Sequence, residues 1–127
     1  MTKSTRSYTV IPNRVHHTID ASGITLGRIA TAAAHFLRGR DKPTFTPNVD
    51  AGAFVDVINF KNVRITGAKL TQKKYYHYSG YPGGMSSPML RDQLVKAPEK
   101  VLRAAVHGML PVNRLRQRML KRLTVTP

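Results

Sequence analysis

The excess of positive charge constrains this chain most. Twenty-one Lys and Arg stand against 6 Asp and Glu, a formal net charge of +15 on 127 residues. A compact state with that excess repels itself, and a polyanion partner relieves the repulsion. Nucleic acid is the first candidate, because each neutralised phosphate releases counterions and rewards a further Lys or Arg. The basic residues recur along helix faces and in loops rather than in one tail, so the charge belongs to the folded body.

The length suits one domain with terminal tails. Hydrophobic residues make up 41%, enough for one modest core, and cysteine is absent. Disulfides, thiolate metal sites and cysteine nucleophiles are thereby excluded. No apolar run approaches the ~18 residues that span a bilayer. Residues 1–14 hold Lys3, Arg6 and Arg14 without an acid and read as a basic extension lying on nucleic acid, although the Ser and Thr among them also suit an organelle transit peptide. The predicted core runs over 15–110, and residues 111–127, with five basic residues and no acid, form a basic C-terminal segment.

Hydrophobic spacing predicts a buried strand at Val15–Ile19, turn chemistry from Asp20 to Gly23, and a helix near Leu26–Arg38 with Ser22 or Thr25 as its cap and Gly39 as its stop. Arg28, Thr31, His35 and Arg38 fall on one face of it at intervals of three, four and three residues. Phe54–Asn59 is an almost unbroken apolar run, suited to a strand covered on both sides. Val63–Thr66 reads as a further short strand closed by Gly67, and Tyr75–Ser79 as strand-like. Short helices follow at 68–73 and Met89–Lys96. Pro98 opens another that Gly108 stops, with Lys96, Lys100, Arg103 and His107 on its polar side. Alternating strand and helix imply an α/β domain with a largely parallel sheet.

Catalysis finds little to build on. Asp20, Asp50 and Asp56 lie near strand ends, yet none has a recognisable partner, and each reads as a turn or capping carboxylate or an ion-pair partner for an Arg. The five His show no metal-ligand spacing. Gly23 to Arg28 joins a strand to a helix, but it lacks the ending of a phosphate-binding loop and the spacing of a dinucleotide fingerprint; Arg28 alone there suits a phosphate. The segment Tyr75 to Gly84 is richer. It holds four of the chain's five Tyr directly after Lys73 and Lys74. Aromatic rings stack on unpaired bases, and Gly83 and Gly84 let backbone approach RNA closely. Some of these rings, two by this reading, pack inward under a sheet edge.

These residues also carry a resemblance. Leu26-Gly27-Arg28, Leu37-Arg38-Gly39-Arg40, Asp50-Ala51-Gly52, Val57-Ile58-Asn59, Thr66-Gly67-Ala68-Lys69, Ser79 through Gly84, Ala105 through Pro111 and Leu120-Lys121-Arg122-Leu123 occur in the order found in the L-thirteen family of large-subunit ribosomal proteins. The ordered set covers residues 17–125, and the chain resembles that family throughout. Departures are the lack of Trp before the first strand, Asn48 where His is usual, Ala53 where Asp is common, Arg116-Gln117 after Leu115, and an end at Pro127 where the family often continues.

The resemblance implies a three-layer α/β/α core with a small, mostly parallel four-stranded sheet. It implies a structural constituent of the large subunit that binds large-subunit rRNA and supports assembly. It brings no enzyme activity, cofactor, metal, membrane or small-molecule substrate. The setting is a cytoplasmic ribosome, with an organellar one left open, and neighbouring ribosomal proteins are further partners. Three contact patches are expected. The first is Arg28, His35, Arg38, Arg40 and Lys42. The second is Lys69, Lys73, Lys74 and the loop with Tyr75, His77, Tyr81, Gly83 and Gly84. The third is Arg114, Arg116, Arg118, Lys121 and Arg122. Lys100 and Arg103 join them from the last long helix. The rival readings are a small RNA-processing or nucleotide-using α/β enzyme, which needs convergent acids or a metal, and a regulatory RNA binder working off the ribosome.

Overall fold

A computed structural model gives the fold of residues 13–127. Most of the basic N-terminal stretch, with Lys3 and Arg6, lies outside the described residues. The elements in chain order are β1 (His16–Asp20), α1 (Leu26–Arg38), β2 (Phe54–Ile58), α2 (Lys69–Gln72), β3 (His77–Tyr78), β4 (Met85–Ser86), α3 (Leu90–Lys96), α4 (Pro98–Met109), α5 (Leu115–Lys121) and β5 (Leu123–Val125). The fold is mixed α/β with a small parallel sheet in the order β1-β2-β5.

Register decides what the sheet buries. His17 and Ile19 of β1 align with Val55 and Val57 of β2, and these with Leu123 and Val125 of β5. This face is the core. Val55, Val57 and Leu123 are buried against Ile29, Ala30, Ala33 and Leu37 of α1, Leu102 and Val106 of α4 and Met119 of α5. Each such large aliphatic side chain contributes roughly 1.5–3 kcal/mol on burial. Alanines at positions 30, 33 and 34 let α1 sit close to its neighbours. The opposite face carries His16, Thr18 and Thr124, all exposed, and the half-buried Phe54, Asp56 and Ile58. The inner face of β2 is thus fully buried with the helices of the core cluster, while its outer face is half-buried.

Several expectations are corrected here. The sheet has three strands among the described residues, not four. Val63–Thr66 forms no strand; it touches the start of α1 through a single bridge between Thr25 and Arg64. Gly108 does not stop α4, which runs on to Met109. The segment from 111 onward is no appendage, because it supplies α5 and the third strand of the sheet. Thr25 is the N-cap of α1 by position but makes no side-chain capping bond, whereas Gly39 ends that helix in the left-handed conformation at φ 78°.

The last strand is tied in by Arg122. Its guanidinium is buried and holds the Asp50 carboxylate by two bonds, at 2.7 and 2.6 Å. Its remaining N–H groups donate to the carbonyls of Ala53 (3.2 Å), Arg118 (3.2 Å) and Leu37 (3.1 Å). All five donors of the planar fork thus have acceptors, the condition under which a buried arginine is tolerated. The end of α1, the entry to β2 and the end of α5 converge on one cation. Arg14 adds bonds to the carbonyls of Gly52 (2.6 Å) and Asp50 (3.0 Å), and Lys42 donates to the carbonyl of Ala51 at 3.0 Å. Residue 52 must be glycine, because a Cβ there would overlap the Leu37 carbonyl.

At the end of β1, Asp20 accepts from the Ser22 backbone N–H (3.0 Å), the Ser22 hydroxyl (2.8 Å) and the Asn59 amide (3.1 Å). The Ser22 backbone bond, then its hydroxyl, then Asn59 hold this carboxyl below the ordinary aspartate value. The stabilisation is present at neutral pH and is lost as pH falls through the depressed value, below about pH 4.

Arg122→Ala leaves Asp50 buried without its principal partner and lowers unfolding free energy by roughly 3–5 kcal/mol, measured by urea denaturation. Asp50→Ala combined with Arg122→Ala costs less than the sum of the single changes. An NMR titration places Asp20 below the free aspartate value, and Asn59→Ala moves it back up.

Candidate nucleic-acid interface

The outward face of α1 opens onto a hollow of about 390 Å³ lined by Thr31, His35, Arg38, Arg40 and Met109. Helical periodicity sets His35 and Arg38 on one face, and the turn after Gly39 brings Arg40 beside them. The Arg38 guanidinium lies 5.4 Å from the centroid of the Phe45 ring, which steadies its long side chain. Arg28 is exposed but stands toward the other end of the helix and does not line this hollow. Lys42 is turned toward the Ala51 carbonyl. Three of the five residues expected in the first patch are brought together.

A second cleft, of about 550 Å³, lies where the start of α1 meets α2 and α4. Arg64 from the preceding loop and Lys69 and Lys73 from the two ends of α2 line it, over small residues that include Gly27, Ala104 and Gly108. Arg64 was not singled out from the sequence. The bridge to Thr25, which carries it there, is a long-range pairing that no local pattern announces. Met109 borders both this cleft and the α1 hollow, so the two cationic surfaces adjoin.

The tyrosine segment forms a two-stranded antiparallel arm. His77 pairs with Ser86 and Tyr78 with Met85, and Tyr75 N–H donates to the Pro88 carbonyl at 2.9 Å. Its tip closes from Gly84 N–H to the Tyr81 carbonyl at 2.9 Å. Pro82 and Gly83 occupy the centre of that turn, with Gly83 at φ 72°. Proline followed by a glycine of positive φ is the signature of a type II turn, so Gly83 has a local reason to be glycine. Tyr76, Tyr78 and Tyr81 are 71%, 60% and 77% exposed. Only Tyr75 of this cluster is half-buried, where burial raises its hydroxyl pKa; the expectation of two inward rings is corrected to one. Lys73 sits 5.6 Å from the Tyr75 ring centroid. Lys74 and His77 are exposed along the arm.

The third expected patch is assembled by α5. Arg114, Arg116, Arg118 and Lys121 line a hollow of about 650 Å³. Arg116 also approaches His107 Nδ1 at 3.3 Å, which joins this surface to α4. Arg122 is corrected: it points into the core, as described above. Lys100 is exposed on α4, while Arg103 lies 3.8 Å from Glu99 and donates to the Leu123 carbonyl at 3.4 Å.

The acids occupy other places. Asp50 holds Arg122 and Arg14, Asp20 closes its turn, and Asp41 and Asp56 each lie 3.7 Å from a histidine of β1. Asp92 sits in the first turn of α3, where it suits the helix dipole. No Asp or Glu lines any of the three cationic hollows. Among the described residues, no three His, Asp or Glu gather as a metal group, and no helix is long and apolar enough to cross a membrane.

Comparison with known proteins identifies the family of the chain. The profile of the family described as Ribosomal protein L13 matches residues 14–126. A protein of Pseudomonas paraeruginosa named large ribosomal subunit protein uL13 is 49% identical over 123 residues, covering 94% of this chain and 87% of its own length. Proteins of the same name from Aquifex aeolicus (50% identical, 94% and 85% covered) and Syntrophomonas wolfei (52% identical, 89% and 78% covered) are similar to it as well. A folded body with acid-free cationic hollows, matched along nearly its whole length, belongs to the ribosomal protein L13 family.

Proposed function

We propose that this chain is a structural constituent of the large ribosomal subunit, binding large-subunit rRNA and supporting assembly of the subunit in the cytoplasmic ribosome. The family is one of structural ribosomal components without enzymatic activity, which leaves the rival enzyme reading without support. One observation carries the RNA contact: three hollows, two of them adjoining at Met109, are each lined by two or more cations and by no acid. Such a surface can neutralise phosphates of several RNA helices at once and hold them in a fixed relation. His35, Arg38 and Arg40 form one contact surface, Arg64, Lys69 and Lys73 another, and the cations of α5 the third. Arg28, Lys74, Lys100 and the exposed part of the arm, with Tyr81, Gly83 and Gly84, extend them. Lys3 and Arg6 of the N-terminal stretch add positive charge for the same RNA, and neighbouring large-subunit proteins complete the environment.

Phosphate contacts impose a salt dependence. With ~6–10 contacts, affinity for a large-subunit rRNA fragment falls roughly a thousandfold or more between about 50 and 200 mM salt, measured by filter binding; a nearly flat response contradicts the proposal. Replacing Arg114, Arg118 and Lys121 together by Gln lowers the slope of log affinity against log salt by about 2–3 and leaves the melting temperature nearly unchanged. Lys42→Gln shows the reverse pattern, because that side chain is engaged with the Ala51 carbonyl.

A further inference from the structure

We propose that the hollow between the tyrosine arm and α4 receives one unstacked base from a single-stranded segment of the RNA, a reading that rests on the RNA-binding function above. The hollow measures about 240 Å³, and Tyr75, Tyr76, Pro88 and Val101 supply its apolar walls. That volume suits a single ring system and not a helix or strand of a protein partner. Tyr76 is 71% exposed, so its ring face is open to a ligand, while half-buried Tyr75 forms a fixed wall. Gln93 and Lys100 also line the hollow. An amide that both donates and accepts can read a base edge, and a lysine can hold the attached phosphate.

Continuity with the neighbouring cleft supports a nucleotide over an apolar side chain. Ala104 borders both this hollow and the cleft of Arg64, Lys69 and Lys73. Lys73 lies over the Tyr75 ring, at the junction of the aromatic and cationic surfaces. No acid lines either cavity. A base in the hollow thus has cations on both sides for its flanking phosphates, which is charge complementarity to a polyanion. Bases inside a duplex remain stacked and unavailable, so the ligand is a loop, a bulge or a single strand.

The chain has no Trp, and two of its five Tyr line the hollow, so the part of the tyrosine emission that responds to Tyr76→Leu reports on the site. The full chain is titrated with a short single-stranded oligoadenylate, with an abasic oligomer of equal length, and with a large-subunit rRNA fragment. The inference predicts that oligoadenylate quenches tyrosine emission and binds at least about fivefold more tightly than the abasic oligomer. Tyr76→Leu weakens the quenching and removes that preference, while affinity for the abasic oligomer holds. Gln93→Ala, which removes the edge contact from α3 and leaves both the arm and the neighbouring cleft as they are, lowers that preference as well and serves if the arm variant fails to fold. Equal affinity for the two oligomers without quenching overturns the inference, as does equal loss of both in the variants; a protein side chain is then the better occupant. If the rRNA fragment still binds with a steep salt dependence, only the base site has failed. If no RNA binds, the underlying function fails with it.

Discussion

The buried pair of Arg122 and Asp50 is the contact on which the rest of this fold depends. A chain with a charge of +15 spends one of its few acids inside the protein, on a cation. Removing an ion pair from water costs several kcal/mol per ion. Here the cost is offset because every guanidinium N–H has an acceptor and both carboxylate oxygens are engaged. The acceptors come from the end of α1, the loop before β2 and the end of α5, so the arginine fixes three chain segments that are distant in sequence. Without it, the carbonyl ends of two helices and the approach to β2 lose a shared donor, and β5 loses the residue that precedes it in the sheet.

That interior contact sorts the remaining charge. Arg14, Lys42 and Arg122 bond to the chain's own carbonyls and to Asp50. The cations around the three hollows face outward, and no acid competes with them there. Most of the acids are consumed by Arg122, by the β1 histidines, by a turn or by an i,i+4 partner. An RNA scaffold gains from this arrangement, because an acid inside a phosphate-binding hollow would repel the ligand and neutralise a cation otherwise available to it. The β3–β4 arm adds aromatic area to this field without adding negative charge.

Local patterns carried much of this fold. The 3.6-residue spacing of Ile29, Ala33 and Leu37 announced α1, the run from Phe54 announced β2, and Pro98 opened α4 as expected. Part of the basic clustering was also legible, because neighbours on a helix remain neighbours in space: His35 and Arg38 share one hollow and Arg114, Arg118 and Lys121 another, whereas Arg28, Lys42 and Arg122 lie elsewhere. What was missed depends on long-range contacts. Leu123, Thr124 and Val125 form a strand only because β2 offers a free edge, and five preceding basic residues made the segment read as a basic extension beyond the core. Arg122 is indistinguishable from Arg118 in composition; only its distance from Asp50 turns it inward. Arg64 enters the cleft through a bridge to Thr25, so a site residue was hidden inside what read as a strand. Gly83 suggested close RNA approach, but its positive φ in a turn after Pro82 is already sufficient reason for glycine.

The division between inward and outward cations is tested most directly by arginine modification with phenylglyoxal, followed by mass spectrometry, on the free protein and on purified large subunits that contain it. The account predicts that Arg122 resists modification in both states, whereas Arg38, Arg40, Arg64, Arg114 and Arg118 react in the free protein and become protected in the particle. Ready modification of Arg122 in the folded protein, or outward arginines equally reactive in both states, would contradict it.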